Sequence, residues 1–536
     1  MSEAETENKL TSGFRDEGRR YLKWGLFLFI LLVILTGSSA VFVLSEKDAY
    51  APYRLTYALD LISVLHPDSY NPGQLIGRAR KSIMEQLDRY SGYLEPAEME
   101  RVDEEFTGAY GGIGITVVSH RYGLLIMSVR EDGPAGRAGI RTGDIIFMVD
   151  STNLAESTAY SATFLLRGPE NTPVEVKIAR NEMQDTLHLK LIRERLSLIH
   201  IPYAGITDNG NLYVRIIDFE TGAARDIRKT IDTLYLPQKD SVSGIILDLR
   251  GNPGGLLNEA REAADLFLDA GKLIVGVRGR SYWKDFSYYS TGRDMTDNIP
   301  MAIITDRGSA SAAEILAGSL KFAGRAILVG DTTFGKGLVQ EYAGLGDGSA
   351  LRLTTSRYYF EGGVFLNDPD AEVIDSAAGI APDYYIKLID SYDFPLALEN
   401  SFLMREFAAS RQNDIIRYAP FSEADPFWLE DFYQYAEEHG FAYTSKTTEA
   451  AQAAKVTAAL ENHSDTVFDA IDRICTVSHE IDRGQFQHYQ DYIKRRLYQI
   501  ALEAEFGTEE AYRYAIIPYH QDIILAERLL SGADND

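Results

Sequence analysis

The sequence predicts a multidomain α/β protein with a single membrane-spanning helix near its amino end. Its 536 residues suit about three or four domains at roughly 150 residues each. An uncharged apolar run near the amino end predicts the membrane helix, and apolar strand-like runs that alternate with helical patterns predict the α/β core. The predicted boundaries are 1–23 for a cytoplasmic amino terminus, 24–45 for the membrane helix, 46–104 for a helical region, 105–195 for a β-rich module, 196–395 for the core and 396–536 for a carboxyl-terminal helical region.

The membrane helix is predicted from its length and its flanks. Trp24 to Ser45 carries no charge and is long enough to cross a bilayer at about 1.5 Å per residue. Basic residues precede it, so the positive-inside rule predicts a single-pass protein of the inner (cytoplasmic) membrane with the domains after Glu46 on the periplasmic or extracytoplasmic side. A cleaved signal peptide is the alternative, because Ser38-Ser39-Ala40 is a small-residue site. A buried core helix fits less well, since the run is apolar on every face.

Charge and cysteine content exclude two classes of site. The net charge of −26 argues against a nucleic-acid partner. The single cysteine, Cys475, excludes an intramolecular disulfide and zinc sites built on paired cysteines. No metal or cofactor is expected.

The next two regions differ in their periodicity. Within 46–104, segments such as Tyr57–Ile62 and Ile83–Leu87 have apolar residues at helical spacing. Within 105–195, short β-type runs at 112–118, 124–129, 145–149 and 174–178 are separated by turn residues. These patterns predict helices followed by a β-rich module.

The core reads as alternating strands and helices. Apolar runs at 242–249, 301–305 and 326–329 predict buried strands, and 258–268 and 312–322 read as the helices between them. In α/β cores the loops at the carboxyl ends of strands carry the chemistry. Two such loops, 248–255 and 306–311, stand out. Residues 396–536 look mostly helical and contain no catalytic motif.

The second loop offers a nucleophile and a downstream lysine offers a base. Ser309 and Ser311 lie where a strand ends and a helix begins, so one serine can cap the helix while the other faces a cleft. No histidine occurs between His200 and His439, which leaves Lys336 as the local base. Burial among apolar groups lowers the pKa of a lysine and frees its lone pair. The residues therefore favour a serine hydrolase with a Ser-Lys dyad.

Two further features fit that chemistry. The Gly-rich loop Arg250–Gly255 follows a buried strand and exposes main-chain N–H groups, which suit half of an oxyanion hole. Gln340 follows Lys336 by an even number of residues, so an extended segment would place both side chains on one face. There its amide oxygen could hold the lysine.

A phosphate-binding loop is the competing interpretation of the lysine segment. Gly330 to Lys336 fits the first seven positions of such a loop. The next position should be Ser or Thr at the start of a helix, but it is Gly337, followed by a strand-like Leu-Val pair. This disfavours an ATPase.

The β-rich module resembles a PDZ domain. The resemblance is carried by Tyr110–Ile115, Gly133–Ile140 and Gly143–Ile146. It implies that an extended peptide is added as a strand, with its terminal carboxylate captured by main-chain N–H groups. The implied peptide-binding residues are Gly111, Gly112, Ile113, Gly114 and Ile115. Arg167 is a candidate contact between this module and the core.

Beyond the membrane segment, nearly the whole chain resembles the carboxyl-terminal processing peptidases, or tail-specific proteases. The motifs are Leu87–Leu94, Asp248–Gly255, Gly308–Glu314, Thr333–Gln340 and Gly379–Asp383. The resemblance implies Ser311 as nucleophile, Lys336 as general base and Gln340 as the orienting residue. It places the oxyanion donors on the N–H of Ala312 and on that of Gly254 or Gly255. Ala313 departs from the pattern, since the family usually has a third serine there.

The sequence thus predicts a membrane-anchored, extracytoplasmic serine endopeptidase that recognises protein carboxyl-terminal tails and cleaves through an acyl-enzyme. Expected partners are substrate tails and the membrane, and a homo-oligomer is left open. The alternative is a membrane-tethered PDZ scaffold with an inactive protease core.

Overall fold

The computed structural model describes residues 51–66, 71–99, 102, 109–120, 122–154, 163, 165–180, 185–280, 285–366, 379–386, 393–417, 426–461 and 463–532. These residues divide into two compact units, with the boundary between Glu95 and Pro96.

The first unit contains two helices and a short strand. They are α1 (Ala51–Leu65), α2 (Pro72–Met84) and β1 (Gly92–Leu94). Asn71 caps α2 by accepting a hydrogen bond from the Gly73 N–H at 2.9 Å, and Pro72 occupies the first helical position, where a missing N–H costs nothing. The Pro-Gly pair therefore starts this helix.

The second unit begins with the β-rich module. Its main sheet is antiparallel, in the order β3 (Ile115–His120), β4 (Gly123–Val129), β5 (Ile145–Val149), β7 (Pro173–Arg180) and β8 (Asp185–Ile192). β6 (Thr152–Asn153) pairs with β5, and β2 (Ala109–Gly112) pairs with β9 (Glu194–Ser197). The short helix α3 (Pro134–Arg137) follows β4. Apolar side chains such as Leu124, Ile146 and Val176 fill the interior.

The α/β core is built on one largely parallel sheet. Its order is β10 (Tyr203–Ile206), β11 (Asn211–Arg215), β12 (Gly244–Asp248), β15 (Met301–Thr305), β16 (Ile327–Gly330) and β20 (Tyr384–Tyr385), with only β10 antiparallel to its neighbour. Every residue of β12 and β15 is buried, as expected of parallel strands covered on both faces.

Different helices cover the two faces of this sheet. Ile245 and Leu247 pack in one cluster with helices α4 (Ala223–Thr230), α5 (Leu257–Asp265) and α6 (Ala312–Phe322). Ile246, between them, packs on the opposite side with the last helix, α15 (Gln521–Leu530). The strand period of two thus assigns successive residues to opposite layers.

A second, antiparallel sheet flanks the first layer of helices. β18 (Ala350–Phe360) pairs with β13 (Leu273–Gly279), β17 (Leu338–Gly344) and β19 (Val364–Phe365), and β13 also pairs with β14 (Phe286–Tyr289). Val277, Tyr358 and Phe360 of this sheet belong to the same apolar cluster as α5 and α6. The second sheet therefore closes the layer that holds the candidate site.

The rest of the chain is helical. The helices are α7 (Asp393–Asn400), α8 (Leu403–Arg417), α9 (Phe427–Glu438), α10 (Lys446–Leu460), α11 (Asp465–Arg483), α12 (Gln485–His488), α13 (Gln490–Phe506), α14 (Thr508–Ala511) and α15. Trp428 and Phe432 lie at the centre of a separate apolar cluster formed by this region.

The described residues contradict the prediction of a membrane-spanning helix, and with it that of a single-pass inner-membrane location. Among the residues that the structure describes, no helix is both long enough and apolar enough to cross a bilayer. The longest, α11, has 19 residues, and charged side chains interrupt it along its length. The predicted segment 24–45 lies outside the described residues. The fold class is therefore restated without a membrane helix, as a β-rich module, an α/β core and a helical carboxyl-terminal region.

Candidate active site

The candidate site forms at the carboxyl ends of two central strands. The turn after β15 leads through Asp306–Ser311 into α6, and the loop after β12 leads through Leu249–Leu256 into α5. The Ala310 N–H donates to the Asn252 carbonyl at 2.9 Å, which joins the two loops. This is the edge of a parallel sheet where active sites are usually found.

Ser311 occupies a strained backbone conformation at the start of α6. Its φ of 54° and ψ of −115° are unusual for a residue with a Cβ. Such strain costs about 1–3 kcal/mol and persists only where the surroundings impose it. The side chain is partly exposed and lines a cavity of about 280 Å³. The conformation therefore presents a hydroxyl at the sharp turn between strand and helix.

Ser309 plays a different part from Ser311. It is fully buried, and its hydroxyl donates to the Leu249 carbonyl at 2.8 Å while accepting from the Asp306 N–H at 3.0 Å. These bonds brace the turn against the neighbouring strand. Of the two serines considered from sequence, only Ser311 lines the cavity.

Lys336 lines the same cavity as Ser311. It lies between β16 and β17 and is only partly exposed. Burial lowers the pKa of its ammonium group below the ordinary value, and the nearby guanidinium of Arg352 lowers it further, whereas Glu314 opposes the shift. A lysine in these surroundings loses its proton more readily than one in water, as a general base requires.

Glu314 connects the two candidate residues, and sequence reasoning gave it no role. Its buried carboxylate accepts from the N–H groups of Ser311 (2.8 Å), Lys336 (2.8 Å) and Gly335 (2.7 Å), and from the Thr333 hydroxyl (2.6 Å). Burial raises the pKa of this carboxyl above its ordinary value, and the four hydrogen bonds oppose the shift without cancelling it. A signal was available, because a glutamate three residues after a helix N-cap serine is typical of a capping box.

Tyr358 is a second link, and no sequence pattern pointed to it. Its side chain is buried, and its hydroxyl donates to the Lys336 carbonyl and lies 3.4 Å from the Ser311 carbonyl. The residue belongs to β18 of the second sheet. One carboxylate and one phenol therefore fix the main chain of the serine turn relative to that of the lysine loop.

The Gly-rich loop lies directly against the turn that carries Ser311. A Cβ on Gly254 would fall 2.8 Å from the Ala312 nitrogen and 2.8 Å from the Ser311 Cβ, so only glycine permits this approach. The Gly254 N–H already donates to the Asn252 side chain at 2.9 Å. Gly255, rather than Gly254, lines the cavity together with Ala312. The sequence left Gly254 and Gly255 open as the second oxyanion donor, and of the two only Gly255 lines the cavity.

Gln340 lines the cavity too, but not for the reason given by strand alternation. β17 begins at Leu338, so Lys336 precedes the strand, and the pairing of β17 with β18 shifts register between Val339 and Gln340. The side-chain nitrogen of Gln340 lies 3.4 Å from the Thr354 hydroxyl. The two-residue period assumed from sequence does not hold across this segment.

The residues expected to bind peptide lie around β2 and the start of β3. A Cβ on Gly111 would collide with the main chain of Gly168, and the Gly168 N–H donates to the Gly111 carbonyl at 3.1 Å. Ile113 is buried, and its carbonyl accepts from the Ala135 N–H at 2.9 Å. At least part of the glycine pattern therefore serves close packing within the module.

Gly112, Gly114 and Ile115 fall in the same stretch. Gly112 pairs with Glu194 in β9, Gly114 has a φ of 82°, and Ile115 opens β3. Arg167 precedes Gly168, is partly exposed, and donates its main-chain N–H to the Thr163 carbonyl at 2.9 Å. Its contact with the core stays a prediction.

The phosphate-loop interpretation finds no structural support. The residues after Lys336 lead into strand β17, whereas a phosphate-binding loop leads into a helix. In the described part of the chain, no group of three or more His, Cys, Asp or Glu side chains is placed to hold a metal ion.

Comparison with known proteins gives consistent results. Residues 211–386 match the sequence model of Peptidase family S41, and residues 111–191 match that of the PDZ domain. A carboxy-terminal-processing protease of Bartonella bacilliformis is 31% identical over 68% of this chain and 81% of its own length. Carboxy-terminal processing protease CtpA of Bacillus subtilis is 30% identical over 63% of this chain and 72% of its own length.

Among solved structures, a photosystem II D1 C-terminal processing protease aligns with 25% identity and a TM-score of 0.38, covering 62% of this chain and 86% of that one. The sequence relatives are similar over most of their length and the two family matches lie in the same order as the β-rich module and the core. The chain therefore belongs to the carboxy-terminal-processing proteases of Peptidase family S41, and it is a serine peptidase that carries a PDZ domain.

Proposed function

We propose that this peptidase cleaves polypeptides near their carboxyl-terminal tails with Ser311 as nucleophile and Lys336 as general base. The observation that carries the proposal is the joint placement of the two residues. Both line one cavity, and Glu314 binds the main-chain N–H groups of both. Neutral lysine is favoured by burial and by Arg352.

The reaction follows from this arrangement in two halves. Neutral Lys336 takes the proton of the Ser311 hydroxyl, and Oγ attacks the scissile carbonyl to form a tetrahedral intermediate. The lysine ammonium then protonates the leaving amine, and an acyl-enzyme remains. A water molecule, deprotonated by Lys336, attacks the ester, and the proton returns to Ser311 as the acid product leaves.

Two main-chain N–H donors stabilise the oxyanion of the tetrahedral intermediate. The Ala312 N–H opens helix α6, whose dipole favours an anion at that end. The Gly255 N–H is the second donor, because the Gly254 N–H is engaged by Asn252. Gln340 orients Lys336 through its amide oxygen, with its nitrogen directed at Thr354.

The PDZ domain is assigned the recognition of the substrate tail. Domains of this kind bind a terminal carboxylate through main-chain N–H groups and add the peptide to a sheet edge. The residues offered for this contact are Gly111, Gly112, Ile113, Gly114 and Ile115. The names of the sequence relatives, which refer to carboxy-terminal processing, agree with this assignment.

Peptide cleavage by purified wild-type protein and by Ser311→Ala and Lys336→Ala variants tests the proposal. We expect the wild type to cleave the peptide without ATP. Both variants should lose at least about 1,000-fold in kcat, while each still binds a tail peptide. Amidation of the peptide's terminal carboxylate should raise KM in the wild type. Equal cleavage by all three proteins would overturn the dyad. Absence of cleavage by any of them, with peptide binding intact, would favour the scaffold interpretation.

A further inference from the structure

His200 is a buried histidine at the junction between the PDZ domain and the core. It lies between β9 and β10, and 2% of its surface is exposed. Its Nδ1 is 2.5 Å from Oδ1 of Asp218. A histidine and a carboxylate at this distance make a short, charge-assisted hydrogen bond. None of the catalytic roles proposed above uses this pair.

The pair fixes the segment that follows β11. The His200 carbonyl accepts from the Ile217 N–H at 3.0 Å, and Oδ1 of Asp218 accepts from the Glu220 N–H at 3.1 Å. Residues on both sides of Asp218 are therefore held. Phe219, between them, is fully buried.

Phe219 in turn frames the Gly-rich loop. Its N–H donates to the Gly254 carbonyl at 2.8 Å, and its carbonyl accepts from the Leu256 N–H at 2.8 Å. These two bonds flank Gly255. A Cβ on Gly255 would lie 2.5 Å from the main chain of Phe219, so the two backbones are in direct contact. The direction of the Gly255 N–H is consequently set by Phe219.

We propose that His200, acting through Asp218 and Phe219, is a positioning residue for the oxyanion donor at Gly255. The inference rests on the proposed oxyanion hole. His200 touches neither the substrate nor the reacting atoms. Its effect is to keep the donor aimed at the oxyanion in the transition state, where a small misplacement is costly.

The charges around the His200 ring determine how the hydrogen bond between His200 and Asp218 depends on pH. Burial alone would lower the pKa of His200, but the hydrogen bond and charge of Asp218, with the charges of Asp226 and Glu259, raise it above its ordinary value. Arg225, Lys229 and Glu509 are the other charged side chains that lie near His200. The imidazolium makes a stronger hydrogen bond to Asp218 than the neutral imidazole with its proton on Nδ1, so the bond weakens as pH rises through that raised pKa.

The test compares wild type with His200→Gln across pH. We expect the variant's kcat to be lower by about tenfold at pH 6.5, with KM unchanged, because the donor is misaligned but the tail still binds. The ratio of wild-type to variant kcat should decline as pH rises. Wild type and variant share the pH dependence of kcat that comes from Lys336, so this dependence cancels in the ratio.

His120→Gln is the matched control. The ring of His120 is also buried and lies 2.7 Å from Glu406, but it belongs to β3 of the PDZ domain. The kcat ratio of wild type to this variant should not vary with pH. Thermal unfolding at each pH shows whether the variants are folded, and Asp218→Asn serves as the second variant if His200→Gln is not.

Two results would overturn the inference. One is a wild-type to His200→Gln ratio that stays constant with pH, and the other is an equal pH dependence for His120→Gln. The failure of the proposed function looks different, since Ser311→Ala would then retain activity. An inactive Ser311→Ala with a flat His200 ratio leaves the dyad in place and removes only the role of His200.

Discussion

At the residue scale, the surroundings of Lys336 determine whether it can act as a base. Only its neutral form can take the Ser311 proton, so kcat should rise with pH and level off above the lowered pKa of the lysine. The two causes of this shift, burial and Arg352, are separable by mutation. Burial is built into the fold, whereas Arg352 can be changed alone.

Replacing Arg352 with glutamine should therefore move the rising limb of the kcat–pH profile to higher pH. Loss of the guanidinium removes a cation that disfavours the lysine ammonium, so a higher pH is needed to deprotonate Lys336. The measurement is kcat from pH 6 to pH 10. Arg357→Gln, on the same strand, should leave the midpoint in place, and an unshifted midpoint for Arg352→Gln would contradict the assignment of Lys336 as the base.

Glu314 shows how far local sequence reasoning reaches. The serine, the lysine and the helix over 312–322 were all predicted from motifs, and the helix has the predicted bounds. The bonds from Glu314 to Gly335 and Lys336 join residues more than twenty positions apart, so no local pattern reveals them. For the same reason the sequence left the choice between Gly254 and Gly255 open, because it depends on where the Asn252 side chain points.

At the scale of elements, β18 supplies the contact that closes the site. Its residue Tyr358 bonds the lysine loop on one face, while the neighbouring Tyr359 points to the other face and lies 3.1 Å from the Ser287 hydroxyl. Strand alternation thus provides two neighbouring tyrosines whose hydroxyl groups each make a hydrogen bond, but on opposite faces of the strand. The pair allows the catalytic contribution of the strand to be separated from its structural one.

Tyr358→Phe should lower kcat several-fold and leave KM nearly unchanged. It removes the hydroxyl that holds the Lys336 carbonyl, while loss of one neutral hydrogen bond costs about 1 kcal/mol of stability. Tyr359→Phe should cost a similar free energy of unfolding without a change in kcat. Steady-state kinetics and urea unfolding provide the two readouts, and equal kcat values for the two variants would show that β18 has no part in alignment.

Element patterns also explain where sequence reasoning failed. Buried strands such as β15 were found at their true bounds because an apolar run of five residues between turns has few alternatives. The strand-like Leu338-Val339 pair does open β17, but Lys336 precedes the strand and the register shifts before Gln340, so Lys336 and Gln340 do not share one regular extended segment. The apolar run at 24–45 was assigned to a membrane helix from its length and its flanks, whereas no helix of the described residues is both long and apolar enough to cross a bilayer.

At the scale of the whole molecule, a buried ion-pair network joins the active-site loops to the carboxyl-terminal helix. Arg250 lies 2.6 Å from Asp248 and 2.9 Å from Asp522 of α15. Burial alone would raise the pKa of Asp248, but Arg250 and Arg215 hold it well below its usual range. Helix α15 is thus fastened to the end of β12, next to the Gly-rich loop.

Because of this network, part of the free energy of unfolding depends on pH in the acidic range. Because the folded pKa of Asp248 is depressed, its contribution is present above the unfolded value of about 3.9 and is lost as pH falls below it. Asp248→Asn should cost about 3–5 kcal/mol at pH 7, since it removes a buried carboxylate that pairs with Arg215 and that shares Arg250 with Asp522. The difference in free energy of unfolding from wild type should shrink toward pH 3, as measured by urea titration. The exposed Asp232→Asn should show no difference at either pH, and a gap for Asp248→Asn that is constant with pH would rule the network out as the cause.

The tie that Glu314 and Tyr358 make between the serine and lysine loops also bears on biosynthesis. The two proposed catalytic residues come from separate stretches of chain, and only tertiary structure brings them together. A growing polypeptide on the ribosome has therefore made Ser311 well before the strand that aligns it with its base. Such a chain has not yet aligned the proposed dyad, so under the proposed mechanism it gains the ability to cut other polypeptides only after β18 has been made and has packed against both loops.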